Sequence, residues 1–463
     1  MKEQTTAIVW HFVDLRVEAN SALSQAAKEH DRVLPIYIYP FSKIKLGKAS
    51  RWFLHYALEN LALDYKEIGG QLTLFQGDPL TLLKGVVKEA KAQAIYWNQS
   101  YEPELYAIQE KAKRLFEKQD LPVHLFNDNH LIDPRQVLNQ SNKPYAVFTP
   151  FYKTALKEVD SFSIPQKPKK IFTPKVSSKK LSSFELLSGD DFEKRLNTYW
   201  DPSREGAKKQ LVRFSSKSLG QYAKGRDFLI DKSTSKLSSY LHFGILSARE
   251  LWNKTSKSNS FQRQLFWREF GAYFLFHFPD TAKENWNRKF DKFKWVKDRT
   301  LFHTWAQGKT GYPIVDAGMR QLLETGWMHN RVRMIVASFL TKDLLIDWRE
   351  GEKWFWEYLV DADKANNTLG WQWTAGSGPD AAPYFRVFNP TLQSQKFDAH
   401  GHYIRQYVPE LIALPDKWIH CPWDAPDEVL EQANIKLGKD YPFPIVDHTE
   451  AKNKALKEFA KIK

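Results

Sequence analysis

The feature that most constrains this chain is a change of period part-way along it. Up to about residue 130, short apolar or β-rich runs at 7–10, 33–39, 72–75, 94–97 and 123–126 alternate with segments such as 51–66, whose apolar residues recur at helical spacing. Parallel strands joined by crossover helices produce that alternation, so the N-terminal part is predicted to be an α/β domain with a parallel sheet. From about 206 onward the strand signal fades. Segments 260–276, 312–323, 332–345 and 353–359 carry helical spacing with aromatics on the apolar side, which predicts an all-α C-terminal domain. Between the two, the rhythm breaks into Pro, Ser and Lys. Ile164-Pro-Gln-Lys-Pro-Lys-Lys170, followed by Val176-Ser-Ser-Lys-Lys180, reads as a solvated linker wrapping the surface. The expected domains are therefore 1–132, 133–205 and 206–463. There is no internal repeat, and the Lys-rich tail 451–463 reads as a frayed surface helix.

A chain of 463 residues can hold two or three domains and bury a large core. Cys421 is its only cysteine, which excludes an intramolecular disulfide, a four-cysteine zinc site and a cysteine-held iron–sulfur cluster. No metal site is expected. No run approaches the roughly 18 apolar residues of a membrane span, and the Met-Lys-Glu-Gln start lacks a signal-peptide profile, so the expected location is cytoplasmic. Lys and Arg number 68 against 54 Asp and Glu, a formal charge of +14. That field suits an anionic partner such as nucleic acid, with an acidic membrane surface as the alternative. Seventeen tryptophans exceed what packing alone requires, which directs attention to aromatic chemistry.

The densest chemistry lies in Asp361-Ala-Asp363-Lys-Ala-Asn-Asn367-Thr-Leu-Gly-Trp371-Gln-Trp373, continuing through Thr374-Ala-Gly376-Ser-Gly378 to Phe385-Arg386-Val-Phe388-Asn-Pro390. Carboxylates, amides and indoles mixed with glycines suit the wall of a polar, aromatic ligand site; the bland alternative is a capped helix followed by a packed loop. Upstream, Thr325-Gly-Trp-Met-His-Asn330-Arg331-Val-Arg333-Met334 can show one amide-rich and one cationic helical face.

These motifs, with Trp10, Asp14-Leu-Arg16, Tyr145-Ala-Val-Phe-Thr-Pro-Phe151, Thr234-Ser-Lys-Leu-Ser238 and Phe266-Trp-Arg-Glu-Phe270, resemble in order those of the DNA photolyase and cryptochrome family. The resemblance covers nearly the whole chain and is strongest to the microbial class I and class III cyclobutane pyrimidine dimer photolyases. It implies a Rossmann-like α/β domain, an all-α domain holding flavin adenine dinucleotide (FAD), and light-driven repair of UV-damaged DNA by a monomer. By resemblance, Tyr222 and Thr234, Ser235, Lys236, Leu237 and Ser238 meet the diphosphate and its neighbourhood. Arg268, Asn330, Arg333, Asp361 and Asp363 line the flavin and ribose side, with Arg333 and Asp361 as an ion pair. Asn367 faces the flavin N5, where an amide favours repair and plant cryptochromes carry an acid. Trp371, Trp348 and Trp295 match the family's electron-transfer chain from flavin to surface.

Trp267 and Trp373 resemble the aromatic walls of the cavity for the flipped lesion, and stacking there is open to any planar base. Asn330 and Met334 stand where the eukaryotic-type (6-4) photolyases have histidines, which disfavours (6-4) activity. Arg226, Arg331, Arg386 and Gln393 match positions that meet the DNA backbone. Two departures stand out. Gln264 replaces the glutamate that usually bonds the dimer, and Ala19 and Glu102-Pro-Glu104-Leu depart from patterns of the N-terminal domain, so the antenna pigment, of folate or deazaflavin type, is left open. The rival activities are a cryptochrome-like photoreceptor and a (6-4) photolyase.

Overall fold

A computed structural model describes residues 4–40, 45–230, 233–381 and 385–462. Five parallel strands, β1 (Thr6–His11), β2 (Arg32–Tyr39), β3 (Thr73–Gln76), β4 (Ala94–Asn98) and β5 (Val123–Phe126), form one sheet in the order β3-β2-β1-β4-β5. Ile8 stands in register between Leu34 and Ile95. Helices Ser21–Glu29, Lys48–Glu67, Pro79–Ala90 and Pro103–Glu117 make the crossovers. They cover both faces, which is why β1 and β4 are buried at every residue and read as continuous apolar runs. The Asp14-Leu-Arg16 motif follows β1 directly. Arg16 is fully buried, and its Nη1 donates to Asn129 Oδ1 (2.7 Å) and the Gly244 carbonyl (2.6 Å). Gly244 has φ +61°, and a Cβ there would lie 1.9 Å from the Val13 carbonyl oxygen, so only glycine fits.

The chain gathers into two compact units. The first comprises Met1–Glu193, Trp200–Gly220 and Ser235–Pro279, and the second Lys194–Tyr199, Gln221–Thr234 and Asp280–Lys463. In the first, the Pro- and Lys-rich stretch is tied along the sheet rather than free: the Phe172 carbonyl accepts from Val33 N–H (2.9 Å), and Lys179 N–H donates to the Leu74 carbonyl (2.8 Å). The second unit is helical around a core that includes Trp305, Met319, Ile335, Phe355, Trp371 and Ile404.

Two expectations change. Segment 332–345 is not one α-helix: the Asn330–Ser338 helix passes into a π-helical turn at Phe339–Asp343, a change of pitch too brief to alter the apolar pattern. Nor is the tail frayed. Its His448–Ala460 helix is capped by Asp447, buries Ala455 completely and stacks Phe459 on Phe385 at 4.5 Å and 11°. Apolar residues at 451, 455 and 459 recur every four positions and give it a docking face beneath the lysines.

Candidate functional site

The motif from Asp361 to Trp373 folds as the Lys364–Ala375 helix and its lead-in. Asp363 is the N-cap, accepting from Asn366 N–H (2.8 Å) and Asn366 Nδ2 (2.6 Å). Arg333 Nη2 donates to both oxygens of Asp361 (3.0 and 2.9 Å), while its Nε donates to the Met328 carbonyl (2.8 Å). The guanidinium is thereby fixed in plane, and Asp361 is nearly all buried. Asn367 Nδ2 donates to the Glu352 carbonyl (3.1 Å), which orients the amide and leaves its oxygen as the available acceptor. The Glu352 carboxyl, which accepts from Thr368 Oγ1 (3.1 Å), is raised above its ordinary range by burial. Asn330 is the exposed first residue of its helix, its Nδ2 3.9 Å from the sulfur of Met334 one turn on.

The three tryptophans differ in setting. Trp371 is 2% exposed, edge-on to Phe355 (4.9 Å) and Trp305 (6.2 Å), and its buried Nε1 has no hydrogen-bond partner among the described residues. Trp348 is fully buried at the start of the Trp348–Tyr358 helix, with Nε1 donating to Asn285 Oδ1 (2.9 Å). Trp295 is half-buried, packed on Phe293 at 4.5 Å. No ring contact joins the three among the described residues. What links the first two is Gly351, one turn after Trp348: a Cβ there would come within 2.2 Å of the Trp371 ring. The missing side chain lets the two helices approach.

Trp373 is half-buried and lines a cleft of the second unit together with Ser338, Lys342, Arg386 and Phe388. Arg386 is exposed; Ala382, Pro383 and Tyr384 of the same stretch lie outside the described residues. Gln393 is half-buried on the Pro390–Phe397 helix. Two further arginines meet at one carboxylate. Arg331 Nη2 pairs with Asp227 Oδ1 (2.9 Å) and its guanidinium covers the Phe397 ring at 4.4 Å; Arg226 lies 3.9 Å from the same carboxylate and 5.5 Å over the Tyr222 ring. Tyr222 is 8% exposed, and Thr234 is half-buried.

In the first unit, the Asn259–His277 helix carries Gln264, Trp267 and Arg268. Trp267 stacks face to face on Phe148 at 3.7 Å and 6°, so a base can stack only on its other face. Gln264 is half-buried, with no side-chain hydrogen bond among the described residues. Arg268 Nη1 donates to Glu269 Oε1 (2.8 Å) and the Asn129 carbonyl (3.0 Å). Burial alone would raise buried Glu269, but His130 and Arg268 outweigh it and hold the carboxyl below its ordinary value. Ser235, Lys236, Leu237 and Ser238 lead into the short Ser238–His242 helix; Lys236 has φ +52°, the Ser235 carbonyl accepts from Gln210, and no side chain among the described residues caps the helix. Ser239 Oγ, fully buried just beyond, has no hydrogen-bond partner among the described residues.

Sequence reasoning missed Gly351, Asn285, Asp227 and Lys342. Only Asp227 carried a local signal, as an acid following Arg226; the other three matter through partners remote in sequence.

Residues 261–461 match the family described as the FAD binding domain of DNA photolyase, and residues 7–174 the family described as DNA photolyase. The deoxyribodipyrimidine photo-lyase of Agrobacterium fabrum is 45% identical, the alignment covering 98% of this chain and 98% of the relative. Cryptochrome-2 of Arabidopsis thaliana is 35% identical over 100% of this chain and 80% of its own length. Among solved structures, a bacterial class III photolyase from Agrobacterium tumefaciens superimposes with a TM-score of 0.96 at 43% identity, covering 100% of this chain and 98% of the other. Together with the fixed Arg333–Asp361 pair, the oriented Asn367 and the buried indoles, these likenesses have one consequence: the chain belongs to the DNA photolyase and cryptochrome family.

Proposed function

We propose that this protein is a deoxyribodipyrimidine photo-lyase of the class III kind, repairing cyclobutane pyrimidine dimers in DNA with light. The observation that carries the reading is one helix, Lys364–Ala375, which bears Asn367, Trp371 and Trp373 within two turns and begins beside the Arg333–Asp361 pair. Bound FAD, when fully reduced and excited by blue or near-ultraviolet light, supplies the electron that opens the cyclobutane ring and takes it back.

The residues present fit that group. Asn367 is held by its NH₂ end with its oxygen available, and the Arg333–Asp361 pair offers a fixed, charge-assisted polar set beside it. Asn330, Asp363 and Arg268 line the flavin and ribose side, and Tyr222 with Thr234 to Ser238 serves the diphosphate. Trp371, Trp348 and Trp295 relay electrons inward from the surface. Trp267 and Trp373 stack on the flipped bases, Gln264 bonds a thymine edge, Met334 and Asn330 shape the pocket, and Arg226, Arg331, Arg386 and Gln393 meet the backbone. Residues 1–132 form the antenna-binding domain, 133–205 the linker and 206–463 the catalytic domain. UV-damaged DNA is the partner, and the protein works as a cytoplasmic monomer; among the described residues no helix is long and apolar enough to cross a membrane.

A photoreceptor is the second reading, favoured by the cryptochrome relative and by Gln264, which cannot act as a carboxylate. Illuminated repair of a thymine-dimer oligonucleotide by the reduced, FAD-loaded protein separates the two: repair supports the lyase, and light-driven flavin reduction without repair supports the receptor.

A further inference from the structure

One wall of the Trp373 cleft holds a buried ammonium to which the reading above gives no task. Lys342 lies in the π-helical turn Phe339–Asp343 and is 1% exposed. No carboxylate within ion-pair distance accompanies it among the described residues; the adjacent Asp343 is taken by His448, Oδ1 to Nδ1 at 2.5 Å. A buried cation with no carboxylate in contact is costly: burial outweighs the charge of nearby Asp343 and pushes this amine down to about 7. Hydrophobic packing alone would be met more cheaply by Met or Leu, so the amine is to be explained by what it touches.

It touches one short segment. Lys342 Nζ donates to the Arg386 carbonyl (2.8 Å) and lies 3.8 Å from the centroid of the Phe385 ring. Ser338 Oγ, four residues earlier, accepts from Phe388 N–H (3.2 Å). Phe385 in turn stacks on Phe459 of the C-terminal helix. Backbone, ring and amide of 385–388 are thus pinned at three successive points from one stretch of 338–342. Where they are pinned, the exposed Arg386 side chain emerges beside Trp373, in the cleft that Lys342 and Ser338 also line.

We propose that Lys342 is a positioning residue for DNA recognition: its ammonium clamps the 385–388 segment so that Arg386 is held ready for a phosphate of the strand whose base stacks on Trp373. The proposal rests on the DNA-repair reading. A segment ordered in advance spares the complex the entropy of ordering it on binding, so the clamp acts on affinity and not on the chemical step.

Lys342→Met keeps the stem and removes the donor and the charge. In the FAD-loaded protein without DNA, amide hydrogen exchange at Phe388 should rise about tenfold or more while the flavin absorption spectrum is unchanged. With a thymine-dimer oligonucleotide, KM should rise about tenfold and kcat stay within about twofold. In an Arg386→Ala background, Lys342→Met should add less than about twofold to KM, because the clamp works through that side chain. Unchanged exchange at Phe388 overturns the clamp, and a full tenfold effect in the double variant overturns its route through Arg386. Lys342→Gln, a neutral donor on a shorter stem, is the second variant; it should move both readouts in the same direction by a smaller factor, and no movement in either overturns the proposal. Failure of the unmodified protein to repair DNA would refute the repair reading, whereas repair with unaltered KM in Lys342→Met refutes the clamp alone.

Discussion

At the scale of single residues, the account depends most on Trp371. It is buried against Phe355 and Trp305, and Gly351 makes room for its ring. Trp371→Phe should abolish light-driven reduction of the oxidised, FAD-loaded protein in the presence of a reductant, yet leave repair by chemically reduced protein largely intact; photoreduction at the unmodified rate would remove Trp371 from the relay. Gly351→Ala forces a methyl onto that ring, an overpacking that should cost about 1 to 3 kcal/mol, seen as a lower denaturant midpoint, and should slow photoreduction. A variant as stable and as fast as the parent would contradict the close approach. The motif that holds Asn367 and Trp371 stood out in the sequence because it is long and ordered. Gly351 was not, because a glycine's purpose lies in what would collide with its missing Cβ, and that is the ring of a residue on another helix. Arg331 shows the same limit: its charge was legible, while its pairing with Asp227 and its cover over Phe397 were not.

At the scale of elements, the strands were read accurately because parallel strands covered on both faces are nearly continuous apolar runs. The π-helical turn at Phe339–Asp343 escaped because so brief a change of pitch leaves the apolar pattern intact, and the docking of the C-terminal helix because its four-residue apolar spacing does not name the ring it packs on. The Asn330–Ser338 helix supplies a pH test. Its N-cap is His329, which accepts from Arg331 N–H at Nδ1 (3.1 Å) and is 2% exposed. Burial pushes His329 down to about 4, so the folded state keeps it neutral where the unfolded chain is already protonated. The unfolded state then binds the extra proton, and stability falls as pH drops from about 6.5 toward 4, by about 1 to 3 kcal/mol from this group. His329→Asn retains a capping acceptor that does not titrate. Denaturant midpoints at pH 7 and pH 5 should therefore differ less for the variant than for the parent; an equal acid loss would mean that the cap is not what titrates.

At the scale of the whole molecule, the net charge of +14 favours a polyanion, and binding to damaged DNA should weaken steeply with salt. The structure sorts the candidate contacts. Arg331 is already neutralised by Asp227, so Arg331→Ala should change the slope of log K against log salt by less than about 0.5. A change of about 1 would show that the Asp227 pair opens on binding. The central claim is light-driven dimer repair, and the most direct measurement is turnover by the chemically reduced, FAD-loaded protein on two oligonucleotides, one with a cyclobutane thymine dimer and one with a (6-4) product, in light and in darkness. The account predicts loss of the cyclobutane dimer in light only, with negligible action on the (6-4) product and no loss of activity for Gln264→Glu. Efficient (6-4) repair, or no repair of either lesion in light, would contradict it.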